Sequence, residues 1–243
     1  MTESASISVI MPVFNGERYV AEAIESILAQ EYRHIEIIAV NDGSTDGTEK
    51  VVCSYAGVRY LYQHRQGASS ARNSGIKCSS GEFLAFLDAD DLWTKDKLKL
   101  QTALCKADPG LDMVFGHAEQ FFSPELEESL KGRIHLPAGS MPGYIPGAML
   151  ARREAFLRVG FFDARLRVGE FIDWYMRALD HGLNSCLPPE VVLKRRIHDA
   201  NTGIKERDAR KDYLRVLKAS LDRRRASAIK ASEEESDKSN EPQ

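Results

Sequence analysis

The chain has 243 residues, of which 43% are hydrophobic and 28% charged, enough to bury a core as one large domain or as one domain with an appendage. Its formal net charge of −3 offers no basic face of the kind a nucleic-acid partner needs, and Cys53, Cys78, Cys105 and Cys186 form neither a zinc knuckle nor a disulfide framework. The opening Met-Thr-Glu-Ser has no basic leader and no apolar run approaches the roughly 20 residues of a membrane span, so a soluble protein of the reducing cytosol is expected.

Residues Ile7 to Val13 read as a buried strand, Asn15-Gly16 as a turn, and Glu17 to Gln30 as a helix with Val20, Ile24, Ile27 and Leu28 on one stripe. The unit repeats at once: a strand from His34 to Val40, a polar turn from Asn41 to Thr45, and Asp46-x-x-Glu49 as a capping box for a second helix. A strand at Val58 to Tyr62, a helix at Ala68 to Cys78, a strand at Phe83 to Leu87, a helix at Lys95 to Ala107 and a strand at Leu111 to Phe115 follow. Such alternation implies an α/β fold with a mainly parallel sheet flanked by helices, which binds ligands beyond the carboxyl ends of its strands.

Past residue 120 the pattern loosens. Pro124, Pro137, Pro142 and Pro146 interrupt a loop region before helices at Arg152 to Arg158 and Glu170 to His181, then a strand at Val191 to Ile197. Glu206 to Lys230 reads as a basic helix, with Lys205, Arg207, Arg210, Lys211, Arg215, Lys218 and Arg223 to Arg225, suited to an anionic membrane surface or an acidic partner, or simply solvated. The Ser- and Glu-rich end is expected to be disordered.

The strand-to-helix turns hold the chemistry. Asp42 stands at a strand end, where a carboxylate accepts hydrogen bonds from the N–H of a uracil- or thymine-like base; Asp-Gly-Ser is also ordinary turn composition. The fourth strand ends in Asp88-Ala89-Asp90-Asp91, three carboxylates whose repulsion a divalent hard cation, Mg²⁺ or Mn²⁺, relieves while bridging to diphosphate; these acids are equally suited to capping the next helix. Gln66 to Asn73 joins a glycine turn to a helix start, with Arg72 able to reach a phosphate or base.

Four runs in order, Ile7 to Gly16, Ile37 to Thr48, Gly67 to Gly75 and Phe83 to Asp91, together resemble the family 2 glycosyltransferases of GT-A fold, over about residues 5 to 200. The resemblance implies a nucleotide site formed by Pro12, Val13, Phe14, Asn15, Glu17, Asp42, Gly67, Arg72, Asp88 and Ala89, with Asp90 on the metal. Gly147 and Ala148, in the run up to Phe156, and Trp174 resemble the acceptor side. Glu170-Phe171-Ile172-Asp173 falls where the family often carries an acidic pair followed by a further Asp and supplies its general base; the expected Asp is Phe171 here, leaving Glu170 and Asp173 as candidates. His198, in Arg195 to Asn201, resembles a loop histidine that reaches the metal or diphosphate.

The implied activity is transfer of a sugar from a nucleoside-diphosphate donor, a UDP-sugar in the first instance, to a hydroxyl acceptor with inversion, on a divalent cation. Residues 1–204 are expected to form the transferase domain, 5–117 binding the nucleotide-sugar and 118–204 the acceptor, followed by the basic helix at 205–230 and a tail at 231–243. The expected location is the cytoplasm, with peripheral contact at the inner face of the membrane. Two rivals stay open at this point: a binding protein or degenerate transferase, which the missing Asp at 171 supports, and a nucleotidyltransferase, for which Pro12 to Arg18 is a poor phosphate loop. Neither Gly-x-Gly-x-x-Gly nor Gly-x-x-x-x-Gly-Lys occurs.

Overall fold

A computed structural model describes residues 5–199, 201, 212–223 and 225. Its elements run β1 (Ile7–Val13), α1 (Val20–Leu28), β2 (Ile35–Asp42), α2 (Thr48–Cys53), β3 (Val58–Gln63), α3 (Ala68–Cys78), β4 (Phe83–Phe86), β5 (Leu92–Trp93), α4 (Lys97–Ala107), β6 (Met113–Val114) and β7 (His117–Phe122). They continue with α5 (Glu128–Lys131), β8 (Met141–Pro142), β9 (Leu150–Arg152), α6 (Arg153–Val159), α7 (Glu170–Asp180), β10 (Ser185–Cys186) and β11 (Val191–Ile197), and then α8 (residues 212–223). The remainder of the expected basic helix and the tail lie outside the described residues.

The larger sheet has the order β10-β6-β9-β4-β1-β2-β3. Its β4-β1-β2-β3 half is parallel, and β9 enters antiparallel between β4 and β6. Every residue of β1 is buried, as a parallel strand covered on both faces requires. Alternate side chains go to opposite faces: Ile7, Val9, Met11 and Val13 pack with α1 residues Val20, Ala23, Ile24 and Ile27, while Ile10 joins Phe86, Phe156 and Trp174 under α6 and α7. On that second face a Cβ on Gly75 would stand 2.5 Å from Ile10 Cγ2, so the glycine lets α3 lie close on the sheet and sets the height at which Arg72 emerges one turn earlier.

A smaller sheet, β5-β11-β7-β8, stands beside the first. Two of its strands fall between the elements expected from sequence: β5 just ahead of the helix placed at Lys95, and β7 after the strand placed at Leu111 to Phe115, where the pattern begins to loosen. The capping box at Asp46 is also replaced: Asp46 Oδ1 accepts from the Thr48 amide at 3.1 Å, but the reciprocal arm comes from Glu17, whose Oε2 accepts the Gly47 amide at 2.9 Å. Among the described residues no helix is long and apolar enough to cross a membrane, and all four cysteines are free.

Trp174 anchors the second face. Its ring stacks on Phe156 at 4.3 Å between centroids, it is fully buried, and its indole N–H donates to the Gly160 carbonyl at 2.9 Å. Trp174→Ala is therefore expected to lower the free energy of unfolding by about 3–5 kcal/mol in urea titration. A loss under about 1 kcal/mol would remove Trp174 from the core.

Candidate active site

The turns after β1 and β2 are laced together. Asn15, the only non-glycine residue with positive φ among those described, donates its amide to Ser44 Oγ at 2.9 Å, and its Oδ1 accepts the Thr45 amide at 2.9 Å. The Gly16 amide donates to Thr48 Oγ1 at 2.8 Å and the Glu17 amide to Asp46 Oδ2 at 3.1 Å. Pro12 and Val13 are buried in the strand, whereas Phe14 is exposed beneath the Arg65 guanidinium, 3.2 Å from its ring centroid. Glu17, assigned to the nucleotide, spends one carboxylate oxygen on Gly47, which makes it a brace between the two turns.

Asp42 is buried at the end of β2, and its carboxylate is already engaged. Oδ1 accepts from Gln63 Nε2 at 2.7 Å and the Gln66 amide at 2.8 Å, and Oδ2 accepts the Gly67 amide at 2.8 Å. Asp42 thus holds the start of α3, and of about four acceptor positions on its carboxylate three are taken, which leaves one on Oδ2 for the N–H of a base. Asp42→Ala should weaken donor binding, measured by titration calorimetry, by about 1–3 kcal/mol through loss of this support. Unchanged donor affinity would leave Asp42 a turn-former alone.

The three carboxylates after β4 separate into three tasks. Asp88 Oδ1 accepts from Arg72 Nη2 at 2.6 Å. Asp90 Oδ2 lies 2.9 Å from His198 Nε2 and 3.4 Å from Asn201 Nδ2. Asp91 turns inward and accepts the Arg196 amide at 2.9 Å, fastening the turn to β11; burial, reinforced by the charges of Asp90 and Asp88, holds its carboxyl well above the ordinary range. Asp91 is thereby a tie between two elements and leaves the open side to Asp88 and Asp90.

Arg72 is the hinge of the arrangement. Its buried guanidinium spans Asp88 and, through Nη1 at 2.9 Å, Glu170 Oε1 at the first position of α7. Burial opposes the cation, but the two carboxylates outweigh it and hold the guanidinium firmly charged. Its Nε has no hydrogen-bond partner, so the geometry is set by the two ion pairs.

The sequence placed Glu170 and Asp173 on one face, and the structure parts them. Asp173 Oδ2 accepts from Arg177 Nε at 2.9 Å, and Oδ1 faces Arg223 of α8 at 3.6 Å, so Asp173 belongs to the α7–α8 contact. Phe171 is buried beside Phe115, Trp174 and Tyr175, so a carboxylate at that position would lie in the core. The acceptor-side assignments do not hold as expected: Gly147, Ala148 and Trp174 are all buried, and the Gly147 and Ala148 carbonyls accept from Trp93 Nε1 at 2.9 Å and Gln101 Nε2 at 2.8 Å. Small residues there pack against β11, and the indole fills the core.

Sequence reasoning missed Arg196 and Tyr19. Arg196 sits between the Tyr19 and Phe121 rings, donates Nε to the Asp90 carbonyl at 3.1 Å, and donates Nη2 to Glu22 at 2.6 Å. Tyr19 also stands against the His198 ring, centroids 4.8 Å apart. The available signal was the period-2 placement of Arg196 in β11 and His198 just past its end.

Asp90 and His198 bring a hard oxygen and an imidazole nitrogen to one point, a donor pair suited to Mg²⁺ or Mn²⁺. Among the described residues no group of three or more His, Cys, Asp or Glu side chains is arranged to hold an ion unaided. The pair still fits an ion that takes one or two protein donors and completes its shell with water and diphosphate oxygens.

A sequence model of glycosyl transferase family 2 matches residues 8–160. An uncharacterized glycosyltransferase of Rickettsia typhi is 33% identical over 226 residues, covering 83% of this chain and 67% of that protein. The UDP-Glc:alpha-D-GlcNAc-diphosphoundecaprenol beta-1,3-glucosyltransferase of Escherichia coli is 37% identical over 101 residues, 40% of each chain. The crystal structure of Staphylococcus aureus TarS residues 1–349, in complex with UDP, superposes with a TM-score of 0.68 at 20% identity, covering 88% of this chain and 64% of that one. At that identity the likeness carries the fold. The chain spans about two thirds of the length of the Rickettsia typhi protein and of the TarS 1–349 fragment, and 39% of the longer TarS chain.

Proposed function

The chain belongs to glycosyl transferase family 2, with the GT-A fold, and from that membership we propose that it transfers a sugar from a UDP-sugar to a hydroxyl acceptor with inversion, assisted by a divalent cation. The observation that carries the proposal is the Arg72 bridge, which joins Asp88 at the sheet edge to Glu170 on α7. Arg72 holds the Glu170 carboxyl beside Asp88, at the end of β4 where this reading puts the donor. Glu170 takes the proton of the acceptor hydroxyl as its oxygen attacks the anomeric carbon and the bond to the diphosphate breaks on the opposite face. The turn after β1, Gly67, Asp88 and Ala89 receive the nucleotide, with Arg72 supporting it through Asp88. Asp90 and His198 would hold the cation, which when bound neutralises charge on the departing diphosphate.

A UDP donor is supported by the UDP complex of TarS and by the donor in the name of the E. coli relative. That second name also fits a lipid-linked acceptor, which suits an enzyme in peripheral contact, through the basic segment at 205–230, with the inner face of the membrane. Residues 1–204 act as one transferase domain in this reading, because β6, β9 and β10 complete the sheet begun by β1 to β4. The degenerate reading loses its support, since the position of the missing Asp faces the core. The test is thermal shift with UDP-, GDP- and dTDP-sugars, with and without Mn²⁺. A UDP-sugar should raise Tm, more so with Mn²⁺; no stabilisation by any of them would contradict the proposal.

A further inference from the structure

The inner face of α8 is tied to α7. Asp212, Val216 and Ser220 are buried, and Arg223 pairs with Asp173 at 3.6 Å and with Asp180 at 3.2 Å. Gly169, with φ of +80°, makes this seat possible: a Cβ there would stand 3.2 Å from Tyr213 Cδ1 and 3.8 Å from Val216 Cγ2. The helix therefore leans on the residue that precedes Glu170.

Its outer face is the reverse of what water selects. Leu214, Leu217 and Leu221 are 68%, 46% and 55% exposed, and their i, i+3, i+7 spacing makes one stripe. Arg215, Lys218 and Arg225 are exposed around it. Across residues 205–230 the sequence carries ten Lys or Arg against four Asp or Glu. A helix that only faced solvent would carry polar residues on this side, and a leucine stripe bordered by cations matches the boundary between acyl chains and anionic headgroups.

We infer that the outer face of α8 docks on an anionic lipid bilayer, with Leu214, Leu217 and Leu221 entering the headgroup–acyl boundary and Arg215, Lys218 and Arg225 meeting the headgroups. The inference rests on the reading of residues 205–230 as a peripheral membrane contact, and stands whether or not Glu170 is the base. Charge selects this occupant, because three exposed cations, Arg215, Lys218 and Arg225, flank the stripe with Asp222 as the one exposed acid among the described residues of α8, a balance that favours an anionic surface over a second copy. The docked helix, leaning on Gly169, is thereby joined to the segment that carries Glu170.

Co-sedimentation of the full chain with phosphatidylserine-rich and with neutral phosphatidylcholine vesicles, at low and at high salt, tests it. The wild type should bind the anionic vesicles, more weakly as salt rises, and leave the neutral ones largely unbound. The triple variant Leu214→Ser, Leu217→Ser, Leu221→Ser should bind at least about tenfold more weakly at both salts. Arg215→Gln, Lys218→Gln, Arg225→Gln should bind roughly 10²-fold more weakly at low salt. The substituted side chains are exposed, and the one ion pair lost, Arg215 Nη1 with Asp212 Oδ1 at 2.9 Å, is a surface pair that contributes little to stability. Both variants should therefore keep a Tm within a few degrees of wild type and its stabilisation by UDP with Mn²⁺, which separates this outcome from failure of the donor reading. A wild type that ignores anionic vesicles overturns the inference, as does a leucine variant that binds like wild type. A wild-type dimer that the leucine variant disperses, measured by sedimentation velocity, also overturns it and assigns the face to a second copy.

Discussion

Glu170→Gln is expected to lower sugar transfer by at least ~10²-fold, the scale of a removed general base, while nucleotide binding is retained and Tm falls, because the buried Arg72 cation keeps only Asp88 as a counter-charge. Glutamine keeps an oxygen that can accept from Arg72 Nη1, so the bridge to Asp88 and the position of α7 are retained while the proton acceptor is lost. The rival explanation is that Glu170 only complements the start of α7, worth about 0.3–1 kcal/mol of stability with no effect on rate. Asp173→Asn separates the two. Its partners are Arg177 and Arg223, so that variant should loosen the α7–α8 contact and leave the rate constant of the folded enzyme close to wild type. An active Glu170→Gln beside an inactive Asp173→Asn of intact fold and donor affinity would move the base by one helical turn.

The second large effect is at Asp90. Asp90→Asn should bring transfer to background and abolish the extra stabilisation that Mn²⁺ gives to a UDP-bound sample, because the substitution replaces a charged oxygen donor by a neutral amide beside His198 Nε2. Protein stability should change little by comparison, since the Asp90 side chain is partly exposed and the turn is fastened elsewhere, by Asp91 on the Arg196 amide and by Arg196 on the Asp90 carbonyl. His198→Ala is expected to weaken the cation response without abolishing it, as a second donor. Wild-type transfer by Asp90→Asn in limiting Mn²⁺ would refute the cation assignment.

The parallel half of the fold was legible because β1, β2 and β4 are mainly apolar runs that each end in a polar turn, with a helix following directly after β1 and β2. The second sheet was not. β5 is two residues long, and β7, His117–Phe122, is half-buried with polar residues at three of its six positions, so its pairing to β11 comes from tertiary context that periodicity does not report. At the site, the turn residues and Arg72 were legible from the order of the motifs, but partners were not. Sequence could not say that Asp91 would turn inward to β11 or that Asp42 would spend its oxygens on α3. It likewise could not part Glu170 from Asp173, which share a helix face in spacing and are drawn apart by Arg72 on one side and Arg177 with Arg223 on the other. The acceptor-side residues failed for a simpler reason: small residues and an indole suit a core as well as a ligand wall.

The most direct test of the account is release of UDP from UDP-sugars by the purified chain, followed with and without Mn²⁺ and compared between wild type and Glu170→Gln. The account predicts slow donor turnover by the wild type with at least one UDP-sugar, dependent on the divalent cation and reduced by at least ~10²-fold in Glu170→Gln, where water takes the place of the acceptor. Binding of UDP-sugar without any release, or equal release by both proteins, would contradict it.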